Sequence, residues 1–146
     1  MKKASIKQIL LIAFAAIAVY TACMPGSVAV YDLTQAREPF RCTYFTLVEG
    51  VTGGFCLPLA GLCSCVTLLM SGIYVAAKKQ NLLSGIKILS MVGAILAVVP
   101  ILIKGTEIML VPNVLLPIAL LCEYVAAGSL QKKESAPVVE LKGKRL

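Results

Sequence analysis

The chain has 146 residues, 59% of them apolar, with no His, no Trp and a mean hydropathy of +0.90. A soluble domain of this length has no means of hiding so much apolar surface, so the bilayer is the expected solvent. The formal charge of +7 excludes a nucleic-acid reading by its placement: the basic residues stand at the ends of apolar runs and form no phosphate-tracking face.

The first apolar run covers residues 6–24 and follows Lys2, Lys3 and Lys7. Crossing a bilayer takes about 20 residues. The stretch AVYTACMPGSVAVYD after it raises a second possibility. "SVA" at Ser27 to Ala29 fits a small-residue cleavage site, and "YTAC" ending at Cys23 resembles a lipoprotein box with Tyr20 in place of an aliphatic residue. The run is longer than the apolar core of about 7–15 residues in a secretory signal, so an uncleaved helix is expected. The alternatives are loss of residues 1–22, leaving a lipidated Cys23, or loss of 1–29.

Residues 25–50 form the one large outer loop. "SVAVYDL" and "FRCTYFTLV" are β-branched and aromatic with partial alternation, and "TQAREP" between them is polar and turn-like. A small extracytoplasmic β-hairpin is expected here. It would be marginal alone and should rest as a lid on the helix ends. Tyr31, Phe40, Tyr44 and Phe45 suit a membrane interface.

The second run, 51–77, carries a stripe at helical spacing: Cys56, Ala60, Ser64, Thr67 and Ser71. Small and hydroxylated residues let helices approach closely in lipid, so the stripe is read as a packing face, with a path for a solute as the alternative. Leu57, Leu59, Leu62, Leu68 and Leu69 are expected to face lipid. "KKQN" makes a tight turn into the third run, 82–103, which offers Gly93 and Ala97 as a small-residue face; Ala15, Ala18 and Ala22 offer one in the first. The fourth run covers 107–130. Pro58 falls in the first turns of its helix, whereas Pro100 and Pro117 are expected to kink theirs.

Lys2, Lys3, Lys7, Lys78, Lys79, Lys87, Lys132, Lys133, Lys142, Lys144 and Arg145 fall on one side; only Arg37, Arg41 and Lys104 fall on the other. Positive residues stay cytoplasmic, which puts both termini inside. The expected fold is therefore an all-α membrane protein: one domain over 1–130, a four-transmembrane-helix bundle, and a disordered basic tail at 131–146 lying on anionic lipid.

Glu123 is the only carboxylate well inside a span. An antiparallel hairpin of the third and fourth helices turning near Gly105 brings Lys87 opposite it, so an intramembrane ion pair Lys87–Glu123 near the cytoplasmic ends is expected, with a proton or ion relay as the alternative. Of the six cysteines, Cys42 lies in the loop and Cys23 and Cys56 near the same membrane surface, which makes a disulfide of Cys42 with Cys23 or Cys56 possible in an oxidising compartment. "CLPLAGLCSC" is reminiscent of soft-metal ligation, but Cys63 and Cys65 point to different sides of a helix and no His completes a set. No catalytic, cofactor or metal residues are assigned. Four-helix membrane thiol-oxidoreductases share only the span count; their Cys-x-x-Cys is absent.

The layout resembles the tetraspan arrangement of claudins in outline: four helices, a larger first outer loop with strands, and inside termini. The claudin loop signature, Trp with Gly-Leu-Trp and two Cys, is absent, so no family or junctional function follows. The basic start and small size suggest a bacterial inner-membrane protein. A non-enzymatic role by association is expected, as a structural or accessory subunit with another membrane protein or a second copy. A small transporter or channel using the second-helix stripe and Glu123 is the alternative. Thiol-redox or soft-metal handling comes third.

Overall fold

The computed structural model of the protein describes residues 5–30, 40–46, 55–104 and 114–135. It has four helices: α1 (Ile6–Cys23), α2 (Cys56–Ala77), α3 (Gln80–Lys104) and α4 (Leu115–Ser135). Two short strands, β1 (Val28–Val30) and β2 (Phe40–Cys42), lie between α1 and α2. Each helix packs against its neighbours in the chain, and α4 closes back onto α1. The result is a four-membered ring in which α2 and α4, like α1 and α3, stand on diagonals.

Local chemistry sets the ends. At the start of α1 the Gln8 Oε1 accepts from the Ser5 N–H at 3.0 Å, which ties the first turn. Pro25 holds Met24 extended and stops the helix. Gly26 then turns the chain with φ +80°, a conformation that costs glycine nothing. The turn between α2 and α3 is only Lys78 and Lys79, as "KKQN" implies. Lys78 closes α2 in the left-handed region, with its N–H bonded to the Tyr74 carbonyl at 2.7 Å.

The interior holds small residues and the exterior holds large apolar ones. Ala15, Ala18, Ala22, Ala60, Gly93 and Ala97 are buried, while Leu59, Leu62, Leu69, Ile88, Ile95, Ile118 and Val125 are exposed. That distribution is inverted relative to a water-soluble core and suits a bundle solvated by lipid. Helices α1, α2 and the Gln80–Pro100 part of α3 are each long and apolar enough to cross a membrane. Helix α4 is less apolar over its length because it carries Glu123, Gln131 and Lys132.

The loop strands pair antiparallel, with Val28 opposite Cys42 and Val30 opposite Phe40. They rest on the bundle as a lid. Val28, Cys42 and Tyr44 belong to one core cluster with Ala18, Ala22, Leu57 and Leu116. The Tyr44 N–H donates to the Ala22 carbonyl at 3.2 Å, and the Phe45 ring lies over Gly61, where there is no side chain to obstruct it.

Several expectations change. Leu57 is buried under the lid and does not face lipid, and Tyr44 is fully buried, away from any interface. Tyr31 and residues 31–39 lie outside the described residues, as do 47–54, and nothing of the Phe40 side chain is described. Helix α4 begins at Leu115, so Pro117 sits in its first turn, where the missing N–H breaks no bond. Pro100 does lie inside α3. The expected tail begins as helix: residues 131–135 continue α4, since Gln131 is anchored to α3 through Lys87 and Ser84. Residues 136–146 and 105–113 fall outside the described residues.

Candidate functional site

Two apolar clusters fill the bundle at different heights. One lies under the lid: Ala60 of α2, Ala94 and Ala97 of α3, Leu116, Ala119 and Leu120 of α4, and the end of α1. The other lies at the end with the α2–α3 turn: Leu11, Tyr74, Leu83, Ile86, Ala127 and Leu130. Between them, among the described residues, lie the buried polar residues of α2, α3 and α4: Ser64, Thr67, Ser71, Ser90 and Glu123. All five are fully inaccessible to solvent.

The stripe of α2 is thus buried along its whole length, from Cys56 through Ala60, Ser64 and Thr67 to Ser71. Two of its hydroxyls are satisfied inside their own helix. Ser64 donates to the Gly61 carbonyl at 2.7 Å and Thr67 to the Ser64 carbonyl at 3.0 Å. This is the usual way for a Ser or Thr to sit inside a helix. Close approach across the stripe depends on Gly93 of α3. A Cβ there would stand 3.0 Å from Cys63 Cβ and 3.1 Å from Leu120 Cδ1.

Glu123 behaves differently. A carboxylate cannot satisfy itself within its own turn of helix. The Ser71 hydroxyl donates to Glu123 Oε1 at 3.2 Å, reaching from α2 to α4 across the diagonal of the ring. The hydroxyls of Thr67 and Ser90 also border the carboxyl. Oε2 of Glu123 and Oγ of Ser90 are buried without a hydrogen-bond partner. The carboxyl is therefore on the bundle axis with hydroxyls from two other helices around it and one oxygen open.

The expected Lys87–Glu123 ion pair does not form. Lys87 donates to Gln131 Oε1 at 3.2 Å and lies 5.5 Å from the centre of the Tyr124 ring. The reason is register. Gly93 faces Leu120, Lys87 lies beside Gly128, and Ser84 bonds Gln131. This offset places Ser90, not Lys87, level with Glu123. Because α4 runs from Leu115 to Ser135, Glu123 is also near its middle, not near an end. Ser90 has no charge to mark it in the sequence, but it stands three residues before Gly93 on the face that Gly93 and Ala97 define.

All six cysteines are free. The expected disulfide of Cys42 with Cys23 or Cys56 is absent: Cys23 faces outward while Cys42 and Cys56 are buried. Burial pushes the Cys42 thiol up, and it does the same to the Tyr44 phenol. Neither is poised as a nucleophile at neutral pH. Among the described residues no three His, Cys, Asp or Glu side chains gather as a metal-binding group.

A separate feature lies on the outside. Leu10 and Phe14 of α1 and Ile118, Leu121 and Val125 of α4 wall an open groove of about 560 Å³, with Lys7 at one end. No family model, curated protein or solved structure matches this chain.

Proposed function

We propose that the chain is a small integral membrane protein of four transmembrane helices that acts by association, as an accessory subunit of another membrane protein. Helix α4 packs against α1 and α3, and three of the four helices already have the length and apolarity to span. Among the described residues the basic ones at the turn end, Lys7, Lys78, Lys79, Lys87 and Lys132, outnumber Arg41 and Lys104 at the lid end. That asymmetry supports cytoplasmic termini, by the positive-inside rule; the bacterial inner membrane as the location rests on the basic start and small size of the chain. The buried face of α1, with Leu11, Ala15, Ala18 and Ala22 fully enclosed, supports its retention as a helix of the mature protein.

The observation that carries the association reading is the α1–α4 groove. Its floor is small, with Cys122, Ala126 and Ser129, and its walls are apolar. Small residues let a helix backbone approach, which is how helices associate in lipid. Lys7 at its end favours an occupant with an acid there, so the fitted partner is an apolar transmembrane helix with a carboxylate near its cytoplasmic end. Native mass spectrometry of the tagged protein, extracted mildly from its own membrane, tests this. A defined complex with a second subunit, lost when Cys122→Phe fills the groove, is expected. A lone chain, or a complex indifferent to Cys122→Phe, would overturn the reading.

A second reading, a small ion-conducting or ion-coupled transporter, is favoured by the open oxygen of Glu123 on the bundle axis. Intramembrane acids commonly mark ion pathways. Reconstituted flux that falls in Thr67→Val, which keeps the volume and removes the hydroxyl, would support it. Absence of flux from wild-type proteoliposomes would exclude it.

A further inference from the structure

We propose that the polar layer at the centre of the bundle is a sodium-ion site, formed by Glu123 of α4, Thr67 and Ser71 of α2 and Ser90 of α3. The cluster is not explained by packing alone. Glu123 Oε2 and Ser90 Oγ are fully buried oxygens that border each other yet make no hydrogen bond of good geometry. A buried polar group left unsatisfied is costly, and an unpaired buried carboxylate more so. Lys87, the expected partner, is turned away to Gln131 and Tyr124.

The chemistry of the donors narrows the ligand. All are oxygens: one carboxylate and three hydroxyls. Oxygen donors suit hard cations, and the lack of thiolate or imidazole in the layer argues against soft transition metals. Charge balance selects a monovalent ion. One carboxylate neutralises one positive charge, whereas a divalent ion would leave a net charge in a low-dielectric interior. Size selects a small one. The four donor residues are fully inaccessible to solvent, which leaves little room between them. Thr67 can take part without losing its own bond, because its hydroxyl donates to Ser64 and keeps its lone pairs free. Ser71 likewise donates to Oε1 and presents lone pairs to the same space. The ion would sit between the two apolar clusters, which seal it from both ends.

This proposal goes beyond the association reading and does not require the ion to cross the membrane. A protein that binds Na⁺ without flux would remove the transport reading and leave the site intact.

The test is thermal unfolding of the full-length protein in detergent, titrated with NaCl against KCl at constant ionic strength. A ligand that binds only the folded state raises its stability in a saturable way. The expected result is a rise of about 3–6 °C with Na⁺ and little with K⁺, given the size of a domain of this length. Glu123→Gln, nearly isosteric, should abolish the Na⁺ response, and Ser90→Ala should weaken the apparent affinity. Equal melting temperatures in Na⁺ and K⁺ for the wild type would overturn the proposal and leave the layer as a protonated hydrogen-bonded cluster. A full Na⁺ response in Glu123→Gln would move the site elsewhere and overturn it equally. If Glu123→Gln does not fold, carbodiimide labelling of wild-type Glu123 decides: protection by Na⁺ but not K⁺ is expected, and labelling indifferent to Na⁺ would sink the site.

Discussion

Gly93→Ala isolates what holds the bundle at its narrowest point. Two effects oppose each other. Replacing a helical glycine by alanine gains roughly 1 kcal/mol from backbone propensity. Against that, the new methyl would stand 3.0 Å from Cys63 Cβ and 3.1 Å from Leu120 Cδ1. Both contacts are tighter than van der Waals separation. Cys63 Cβ is fixed to the α2 backbone and yields only if the helix moves, and Leu120 is fully buried. Overpacking of this kind costs typically 1–3 kcal/mol. The steric term therefore wins, for a net loss of about 0–2 kcal/mol. Gly72→Ala on α2 is the control. Nothing lies within 4 Å of its Cβ position, and the site faces outward. It should gain up to about 1 kcal/mol. The assay is denaturant unfolding of both variants in one detergent, read by circular dichroism. The separation between the two alanine variants, about 1–3 kcal/mol, is the quantity that matters, because propensity cancels from it. If the two variants are equally stable, α2, α3 and α4 do not meet at Gly93 as described, and the tight seam beside the polar layer is wrong.

Two further outcomes follow from local chemistry. Lys78→Gly should stabilise the protein, because Lys78 holds φ 52° at the end of α2. A non-glycine residue there costs about 1–2 kcal/mol, and the same melting experiment would register its relief; an unchanged or lower melting temperature counts against that cap geometry. The lid should loosen in alkali. Burial raises the Cys42 thiol and Tyr44 phenol above their ordinary values, so the docked lid favours their neutral forms. The stability they lend is complete below the unfolded values, begins to fall above about 8.5 for the thiol and about 10 for the phenol, and goes on falling until pH passes their raised values in the folded protein. Maleimide labelling of Cys42 should accordingly lag that of exposed Cys23 at neutral pH and gain on it in alkali. Equal rates at neutral pH would show that the lid is not closed.

The helices were legible because lipid solvation leaves its mark residue by residue. An apolar run reports a span, and small residues at spacings of three and four report the face that meets another helix. Cys56, Ala60, Ser64, Thr67 and Ser71 all fall inside on that ground alone. The "KKQN" turn and the strand pair on the helix ends were legible for similar local reasons. Register between helices was not. A shift of one turn between α3 and α4 leaves every face assignment unchanged but exchanges Ser90 for Lys87 opposite Glu123. The sequence carries charge attraction as a visible cue and carries helix offset only through the intervening connection, whose length sets the pairing. Leu57 and Tyr44 were misplaced for a different reason: a lid buries what lies beneath it, and a span read in isolation has no lid.

That register has a consequence for what the single buried acid does. In the ring of four helices, α3 meets its side-by-side neighbours α2 and α4 closely at Gly93. Among the described residues the diagonal pairs α1–α3 and α2–α4 make no comparable contact. The Ser71–Glu123 bond links one diagonal pair, α2 and α4, through the centre. Ser64 contributes nothing to that link, because its proton goes to a carbonyl of its own helix, and Thr67, whose proton goes the same way, only borders the carboxyl. An apolar residue at 123 would fill the axis but connect no diagonal. Retaining a carboxylate there leaves one oxygen in excess of what Ser71 can satisfy. The same geometry that ties α2 to α4 thus creates the open coordination position, and Ser90 places a third helix at its edge. An ion bound there would draw α2, α3 and α4 onto one centre, which makes stability, rather than flux, the more direct readout of the site.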